Sequence, residues 1–205
     1  METRRMRGGR LVLDTLARHH IQPAFDRLAR CRVLRRVPPN RMTIAAFVVG
    51  AGAMPFIVAG HPWLAVTALW ISGALDVLDG TKARLTARSA RGTLMDITFD
   101  RLVEIGVILG LAVRYPAAQF PLLCLAAAIV FSISVFLTTG ALAERPSAKS
   151  FYYQPGIAER TEGFLLFTAM IVWTAALVPL TYVFVAVETA TGIQRFVEAY
   201  GLLGE

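Results

Sequence analysis

The chain has 205 residues, 56% of them hydrophobic, and its mean hydropathy is +0.56. Several apolar runs come near the roughly twenty residues with which a helix crosses a bilayer. They lack the alternating pattern of a lipid-facing β-barrel, so their backbone polar groups must be satisfied within helices. The composition therefore excludes a water-soluble globular protein and predicts an all-α, polytopic membrane protein.

The net charge of +7 comes largely from the N-terminal region. About half of the Lys and Arg residues precede the first apolar run, a distribution that favours a membrane surface over nucleic acid as the partner. Leucine, isoleucine and phenylalanine are interleaved with these basic residues, which predicts a basic amphipathic juxtamembrane helix over residues 1–40. The arginines are Arg4, Arg5, Arg7, Arg10, Arg18, Arg27, Arg30, Arg32, Arg35, Arg36 and Arg41.

Six transmembrane helices are predicted to follow, and they form one domain over residues 41–205. Short breaks at Gly60-His61-Pro62, Tyr115-Pro116 and Val178-Pro179 separate some of them, and longer polar connections separate the others. The predicted spans are approximately 41–60, 62–83, 93–113, 117–141, 159–177 and 179–200.

Basic residues are concentrated in alternate connections of this arrangement. The N-terminal segment, residues 82–91 and residues 145–160 are basic, whereas Arg114 lies on the other side. The positive-inside rule then predicts an inner-membrane protein with both termini in the cytoplasm.

An acidic motif straddles the cytoplasmic turn between the second and third spans. Ionisable groups inside spans are costly and usually mark ion, substrate or proton sites. Aspartates three or four residues apart share one helix face, and the short turn predicts that the two spans pack as an antiparallel hairpin. We therefore expect four carboxylates to converge. The motif, D-x-x-D-G-x-x-A-R-x7-G-x3-D-x3-D, comprises Asp76, Asp79, Gly80, Ala83, Arg84, Gly92, Asp96 and Asp100.

Four like charges in one place need a counterion, and divalent metal is the simplest one. Mg²⁺ usually combines a few carboxylates with water and substrate phosphates, so the motif points to a phosphorylated substrate. Paired metals clamp the attacking and leaving oxygens of a displacement, and the guanidinium of Arg84 is suited to a diphosphate. The small residues Gly80, Ala83 and Gly92 let a ligand or a neighbouring helix approach closely. These features predict phosphoryl transfer.

The motif resembles the signature of the CDP-alcohol phosphotransferases, which its eight positions reproduce without departure. The six-span layout, the basic N-terminal segment and Pro39-Asn40-x-x-Thr43 at the start of span one are also similar to this family. The resemblance implies a homodimer of six-helix protomers whose active site opens to the cytoplasmic side.

The resemblance also implies a role for each motif residue. The aspartates would ligate two Mg²⁺ or Mn²⁺ ions per protomer, with Asp100 as the general base and Asp96 also taking part in catalysis. A deprotonated alcohol would attack the phosphorus distal to cytidine and expel CMP. The implied metal ligands are Asp76, Asp79, Asp96 and Asp100, and the implied nucleotide site comprises Thr43, Asp76, Gly80, Ala83, Arg84 and Gly92.

The acceptor alcohol must be selected by other residues, because the signature concerns the nucleotide and the metals. Arg160 is the first candidate, since Gly156-x-x-Glu159-Arg160-x-Glu162-Gly163 is similar to a pattern that faces the acceptor pocket in relatives. Lys149 is a second candidate, and Arg195 is a further cation suited to a phosphorylated acceptor. Residues 138–141 lack the basic pair of relatives that use inositol phosphate, which disfavours that acceptor.

The sequence thus predicts a phospholipid-synthesis enzyme of EC 2.7.8 type. It would transfer a phosphatidyl group from CDP-diacylglycerol to a small polar alcohol, in a metal-dependent reaction that releases CMP. An alternative is transfer of a CDP-linked headgroup to a lipid alcohol. A membrane prenyltransferase and a cation transporter that binds its ion through intramembrane carboxylates are further alternatives.

Overall fold

A computed structural model of the chain describes residues 37–85, 89–142 and 160–203. All regular structure in these ranges is helical, which confirms the all-α prediction. The amphipathic helix predicted for residues 1–40, except for residues 37–40, and the acceptor candidate Lys149 lie outside the described residues. The helices are α1 (Pro39–Ala51), α2 (Ala53–Ala59), α3 (Pro62–Leu85), α4 (Ala90–Arg114), α5 (Gln119–Leu142), α6 (Arg160–Val172) and α7 (Leu177–Leu203), with 3-10 turns at Pro116–Ala118 and Thr174–Ala176.

The first predicted span consists of two helices, α1 and α2, that meet at Gly52. Pro55 has no N–H with which to bond to the Ala51 carbonyl, so the helical hydrogen-bond ladder is interrupted there. The last residue before the next span is Gly60, whose φ of 80° is a left-handed conformation that glycine adopts without strain. The break predicted at Gly60 is thereby confirmed.

The sequence predicted that α3 and α4 pack directly on each other as an antiparallel pair, and this prediction was wrong. Both helices pack extensively on α1 and α2 and only weakly, if at all, on each other. Gly50 of α1 makes this possible, because a Cβ there would lie 2.5 Å from Ser72 Oγ on α3 and 2.7 Å from Val103 Cγ2 on α4. The aspartates that α3 and α4 turn toward each other carry like charges, which opposes direct packing of the two helices.

The second half of the bundle is built on the long contact between α5 and α7, and α6 joins it to α3. Its apolar centre contains Leu122 of α5, Phe167 of α6 and Phe184 of α7, all almost fully buried. The rings of Phe167 and Phe184 meet edge to face with their centroids 5.1 Å apart. One continuous core therefore connects α5, α6 and α7 to the first four helices.

Two breaks between helices were predicted in this half of the bundle, and the structure confirms one of them. α4 ends at Arg114, so the break predicted at Tyr115-Pro116 is confirmed. The break predicted at Val178-Pro179 was wrong, because the chain turns at Trp173 and Thr174–Ala176 instead. Pro179 lies in the first turn of α7, where the missing N–H removes no helical hydrogen bond.

Four of the described segments are long and apolar enough to cross a membrane. α4 has the length but carries charged residues along much of it, and the described part of α6 has 13 residues. The protein is therefore an integral membrane protein with at least these four candidate spans, and six spans stay a prediction. The four segments are Pro39–Ala59, Pro62–Arg84, Pro116–Leu142 and Thr174–Leu203.

We predict that Gly50→Leu lowers the melting temperature of the detergent-purified protein. The new side chain would overlap Ser72 and Val103, and overpacking of this kind costs about 1–3 kcal/mol. The matched control is Gly201→Leu, because a Cβ built there meets no atom within 4 Å from the rest of the described protein beyond its own helical turn. Equal melting temperatures for the two variants would contradict the close approach of α1 to α3 and α4.

Candidate active site

Three carboxylates converge between the C-terminal half of α3 and the N-terminal half of α4. One oxygen from each of Asp76, Asp96 and Asp100 lies within 4.8 Å of the others. Asp96 and Asp100 are one helical turn apart and share a face of α4. The carboxylates of Asp76 and Asp96 lie within hydrogen-bonding distance of each other. Two ionised carboxylates this close repel each other unless a proton or a cation lies between them.

Arg160, the first residue of α6, supplies positive charge to this cluster. Its Nη1 donates to Oδ2 of Asp76 and, at 2.7 Å, to Oδ2 of Asp100, while Nη2 donates to Oδ1 of Asp100 at 2.8 Å. The pairing with Asp100 is therefore bidentate, the geometry that a planar guanidinium favours. The ring of Phe164, one turn further along α6, lies 5.4 Å from the guanidinium carbon. The sequence predicted Arg160 as a candidate acceptor-binding residue; in the structure its guanidinium binds Asp76 and Asp100, and the acceptor role stays a prediction.

Asp79 is separate from the three converging carboxylates. It is only 4% exposed, and its carboxylate bonds to the side chain of Thr43 on α1. Its Oδ2 is buried without a hydrogen-bond partner among the described residues. The separation has a simple cause: residues three apart on a helix differ by about 60° in direction, so Asp76 faces α4 while Asp79 faces α1.

The remaining predicted nucleotide residues lie at the same end of α3 and at the start of α4. Among the described residues, a Cβ added to Gly80 would come within 4.0 Å of Arg84 Nη1 alone, so this face of α3 is open with respect to the described helices. Arg84 is exposed, and its Nη2 donates to Thr81 Oγ1 at 2.7 Å. Ala83 is half-buried on the same turn.

Gly92 belongs to the N-terminal cap of α4. Its N–H donates to Ser89 Oγ at 3.0 Å, and Ser89 has the extended backbone of an N-cap residue. A Cβ on Gly92 would come 3.3 Å from Asn40 Oδ1 at the start of α1. The small residue thus allows the start of α4 to approach the start of α1, close to Thr43.

The donor set fits a hard divalent cation. Carboxylate oxygens are the ligands that Mg²⁺ and Mn²⁺ prefer, and three of them lie on one small volume. The buried Oδ2 of Asp79 is a fourth oxygen without a partner among the described residues. A buried acceptor in this state is costly unless a cation or donor reaches it.

Sequence reasoning did not predict that Lys82 is buried, whereas it expected Arg101 and Glu104 to pair inside the bundle and named Arg195 as a candidate cation. Lys82, one turn after Asp79, is 5% exposed and donates to the Val37 carbonyl. On the far side of α4, Arg101 pairs with Glu104 at 2.6 Å. On α7, Arg195 donates to Ser132 Oγ at 3.3 Å. The sequence could have indicated the burial of Lys82 from its position at the end of an apolar run, but hydrophobic patterning does not identify its partner.

Comparisons with known proteins give three informative similarities. The chain is 31% identical over 167 residues to the inner membrane protein YnjF of Escherichia coli, covering 76% of this chain and 80% of that protein. It is 30% identical over 154 residues to the phosphatidylinositol phosphate synthase of Corynebacterium glutamicum, covering 66% and 69%. The structure of Mycobacterium tuberculosis phosphatidylinositol phosphate synthase with bound CDP-DAG has the same fold, with a TM-score of 0.72, 19% identity and coverage of 87% and 94%.

A family model extends these similarities over most of the chain. Residues 36–194 match the CDP-alcohol phosphatidyltransferase family. The match contains the whole acidic motif, α1 and the converging carboxylates. The protein therefore belongs to the CDP-alcohol phosphatidyltransferase family and is a membrane-bound transferase of EC 2.7.8 type.

Proposed function

We propose that this enzyme transfers a phosphatidyl group from CDP-diacylglycerol to a small polar alcohol and releases CMP, with a requirement for divalent metal. The observation that carries the proposal is the convergence of Asp76, Asp96 and Asp100 at one end of a membrane bundle. The donor is supported by the Mycobacterium tuberculosis protein of the same fold, which holds CDP-DAG. Family membership favours this chemistry over prenyl transfer or cation transport.

Asp76, Asp79, Asp96 and Asp100 are the proposed ligands of two Mg²⁺ or Mn²⁺ ions. Bound there, the ions would supply Lewis-acid stabilisation of the charge that develops on the pyrophosphate and on CMP. Asp79 is included because its buried Oδ2 has no partner among the described residues. Its bond to Thr43 would also place α1 at the edge of the site.

Asp100 is the proposed general base, and Asp96 the carboxylate that assists it. Asp100 accepts the proton of the acceptor hydroxyl, and the resulting oxygen attacks the phosphorus distal to cytidine. A new P–O bond forms, the bond to the bridging pyrophosphate oxygen breaks, and CMP leaves with that oxygen. Base catalysis requires the hydroxyl to lie within hydrogen-bond reach of the carboxylate, and the half-buried position of Asp100 between α4 and α6 leaves one side for it.

The nucleotide is proposed to bind along the open face of α3 and the starts of α1 and α4. Thr43, Gly80 and Gly92 would allow close approach of cytidine and its phosphates, together with Asp76 and Ala83. Arg84 is suited to the diphosphate because its exposed guanidinium presents donors in a plane. Its bond to Thr81 holds the guanidinium beside the open surface at Gly80.

Arg160 and Lys149 are the proposed acceptor-binding residues. Because one relative is named phosphatidylinositol phosphate synthase, inositol phosphate is included among the acceptors to test, although residues 138–141 carry no basic pair. Arg195 on α7 is a further cation proposed for a phosphorylated acceptor, and its guanidinium carbon lies 5.2 Å from the ring of Phe136.

We further propose that the protein acts as a homodimer in an inner membrane. In this arrangement the juxtamembrane segment 1–40 lies on cytoplasmic headgroups, and residues 41–205 form the catalytic domain. Both termini and the aspartates would then face the cytoplasm. The concentration of basic residues near the aspartate end of the bundle supports this orientation.

The proposed reaction is tested by incubating purified enzyme with Mg²⁺ and CDP-diacylglycerol. The acceptor panel contains glycerol phosphate, inositol phosphate, inositol and serine, and both CMP release and the lipid product are measured. We expect one alcohol to give product, and chelation of metal to stop the reaction until Mg²⁺ or Mn²⁺ is restored. If no acceptor gives CMP or lipid product, but a CDP-linked headgroup reacts with diacylglycerol, the alternative reaction would be established.

Asp96→Asn and Asp100→Asn are each expected to lower the turnover rate at least about 100-fold, the scale of a lost acid–base or metal-binding carboxylate. CMP release measures the rate. Glu198→Gln is the matched control, because this exposed carboxylate lies on α7 and bonds to Gln194. Near-normal rates in both aspartate variants would refute the proposed roles.

Arg160 and a divalent cation are proposed to compete for Asp76 and Asp100. Arg160→Gln should therefore bind Mn²⁺ with a Kd about tenfold lower, equivalent to about 1.4 kcal/mol, as measured by calorimetry. The metal-free variant should also melt earlier, because its carboxylates have lost their counterion. Arg91→Gln removes an exposed arginine and serves as the control. Unchanged Mn²⁺ affinity in Arg160→Gln would contradict competition.

A further inference from the structure

The end of the bundle remote from the aspartates contains a cleft of about 190 Å³. It lies where α2 ends, α3 begins and α4 and α6 end, and its lining includes Ile57, Leu111, Arg114, Tyr115 and Ile171. Arg114 is about 14 residues beyond Asp100 on α4, which corresponds to about 21 Å along the helix. The cleft is therefore separate from the candidate active site.

This end of the protein carries almost no charge. Residues 51–75, 105–142 and 163–187 are all described, and Arg114 is the single Asp, Glu, Lys or Arg among them. No carboxylate in these ranges can neutralise its guanidinium. A cation next to the apolar residues of a membrane protein requires an anion or water at the interface.

Arg114 is held in a defined orientation within the cleft. Its Nη1 donates to the Val58 carbonyl at 3.0 Å, near the end of α2. The guanidinium also packs against Gly60, where a Cβ would lie 2.6 Å from Nη2, and lies 5.8 Å from the ring of Tyr115. A guanidinium has several N–H donors, so one bond to Val58 leaves others for a ligand.

The surroundings of the cleft have the character of a membrane interface. Trp63 is 68% exposed and Trp173 is 64% exposed, and such aromatic side chains gather at the level of lipid headgroups. Pro62 and Val172 form the accessible apolar wall of the cleft beside the guanidinium, whereas the lining residues Ile57, Leu111 and Ile171 are buried. A ligand that fits both the Arg114 guanidinium and the apolar lining has an anionic group joined to a hydrocarbon chain.

We propose that this cleft binds an anionic phospholipid of the leaflet remote from the aspartates. The lipid phosphate accepts hydrogen bonds from Arg114, and the start of an acyl chain lies on the wall of Pro62 and Val172. Charge complementarity selects a phosphate, and the apolar wall selects a lipid over a free anion. The site is independent of the catalytic proposal because it uses none of its residues.

The experiment compares wild-type protein with Arg114→Gln in detergent containing phosphatidylglycerol or phosphatidylcholine. Native mass spectrometry measures bound lipid, and thermal unfolding measures its effect. We expect phosphatidylglycerol to bind wild-type protein more tightly than phosphatidylcholine does and to raise its melting temperature. In Arg114→Gln, binding of phosphatidylglycerol should be about tenfold weaker, the scale of one charge-assisted hydrogen bond, and the thermal shift should disappear.

Two further variants separate lipid binding from other effects. Arg91→Gln removes an exposed arginine at the aspartate end and should keep the preference for phosphatidylglycerol. Arg114→Lys retains the charge and should keep part of the preference for phosphatidylglycerol, which provides a measurement if Arg114→Gln does not fold. Inorganic phosphate added to protein in detergent with phosphatidylcholine should give no comparable shift in melting temperature.

The proposal is overturned if wild-type protein does not distinguish the two lipids, or if Arg91→Gln loses the preference as fully as Arg114→Gln does. It is also overturned if Arg114→Gln melts earlier by the same amount in both lipids and keeps the preference, because Arg114 would then act only by bonding to Val58. If inorganic phosphate raises the melting temperature as much as phosphatidylglycerol does, the proposal is also overturned, because the ligand would then be a free anion and not a lipid.

Discussion

Mutual repulsion of carboxylates inside a membrane bundle is the constraint on which this structure depends. Asp76, Asp96 and Asp100 lie too close together to be ionised without positive charge nearby. In the structure that charge comes from Arg160, which reaches the cluster from the first turn of α6. α3 and α4 are joined by a short connection and yet pack on α1 and α2 instead of on each other, so their carboxylates meet without extensive contact between the two helices.

α1 therefore contributes to the site in two ways, by packing against α3 and α4 and by contacting one of the aspartates. Gly50 brings it against Ser72 of α3 and Val103 of α4, and Thr43 near its start bonds to Asp79. α3 therefore directs its two motif aspartates to different neighbours, Asp76 toward α4 and Asp79 toward α1. A site built on three helices in this way depends on the packing of all of them, because no single pair holds the carboxylates in place.

Much of the fold was accessible from the sequence. The apolar runs and the breaks at Gly60 and Tyr115 predicted helices that the structure contains, since these signals depend only on local chemistry. The four-residue spacing of Asp96 and Asp100 also predicted their shared face, whereas Asp76 and Asp79, three residues apart, face different helices. The helix boundary at Gly52 and the turn at Trp173 were not predicted, because Pro55 and Pro179 each allow more than one position for the neighbouring helix boundary.

The partners of the site residues were less accessible. Helical spacing shows which residues share a face but does not show which helix that face meets, so Asp79 was grouped with the other three aspartates. The bond between Arg160 and Asp100 joins residues that are 60 positions apart, and nothing local to either residue specifies it. Lys82 shows the same limit, since its burial depends on the Val37 carbonyl across the bundle.

The unequal distribution of charge along the bundle has a consequence for biogenesis. If the aspartate end stays on the side of synthesis, Arg114 is the single charged side chain of residues 51–75, 105–142 and 163–187 that has to be translocated. The opposite orientation would carry the acidic motif and its neighbouring basic residues through the hydrocarbon, at about 2.5–3.5 kcal/mol for each Asp, Lys or Arg at mid-bilayer. The insertion machinery therefore meets a chain for which one topology has a much lower barrier.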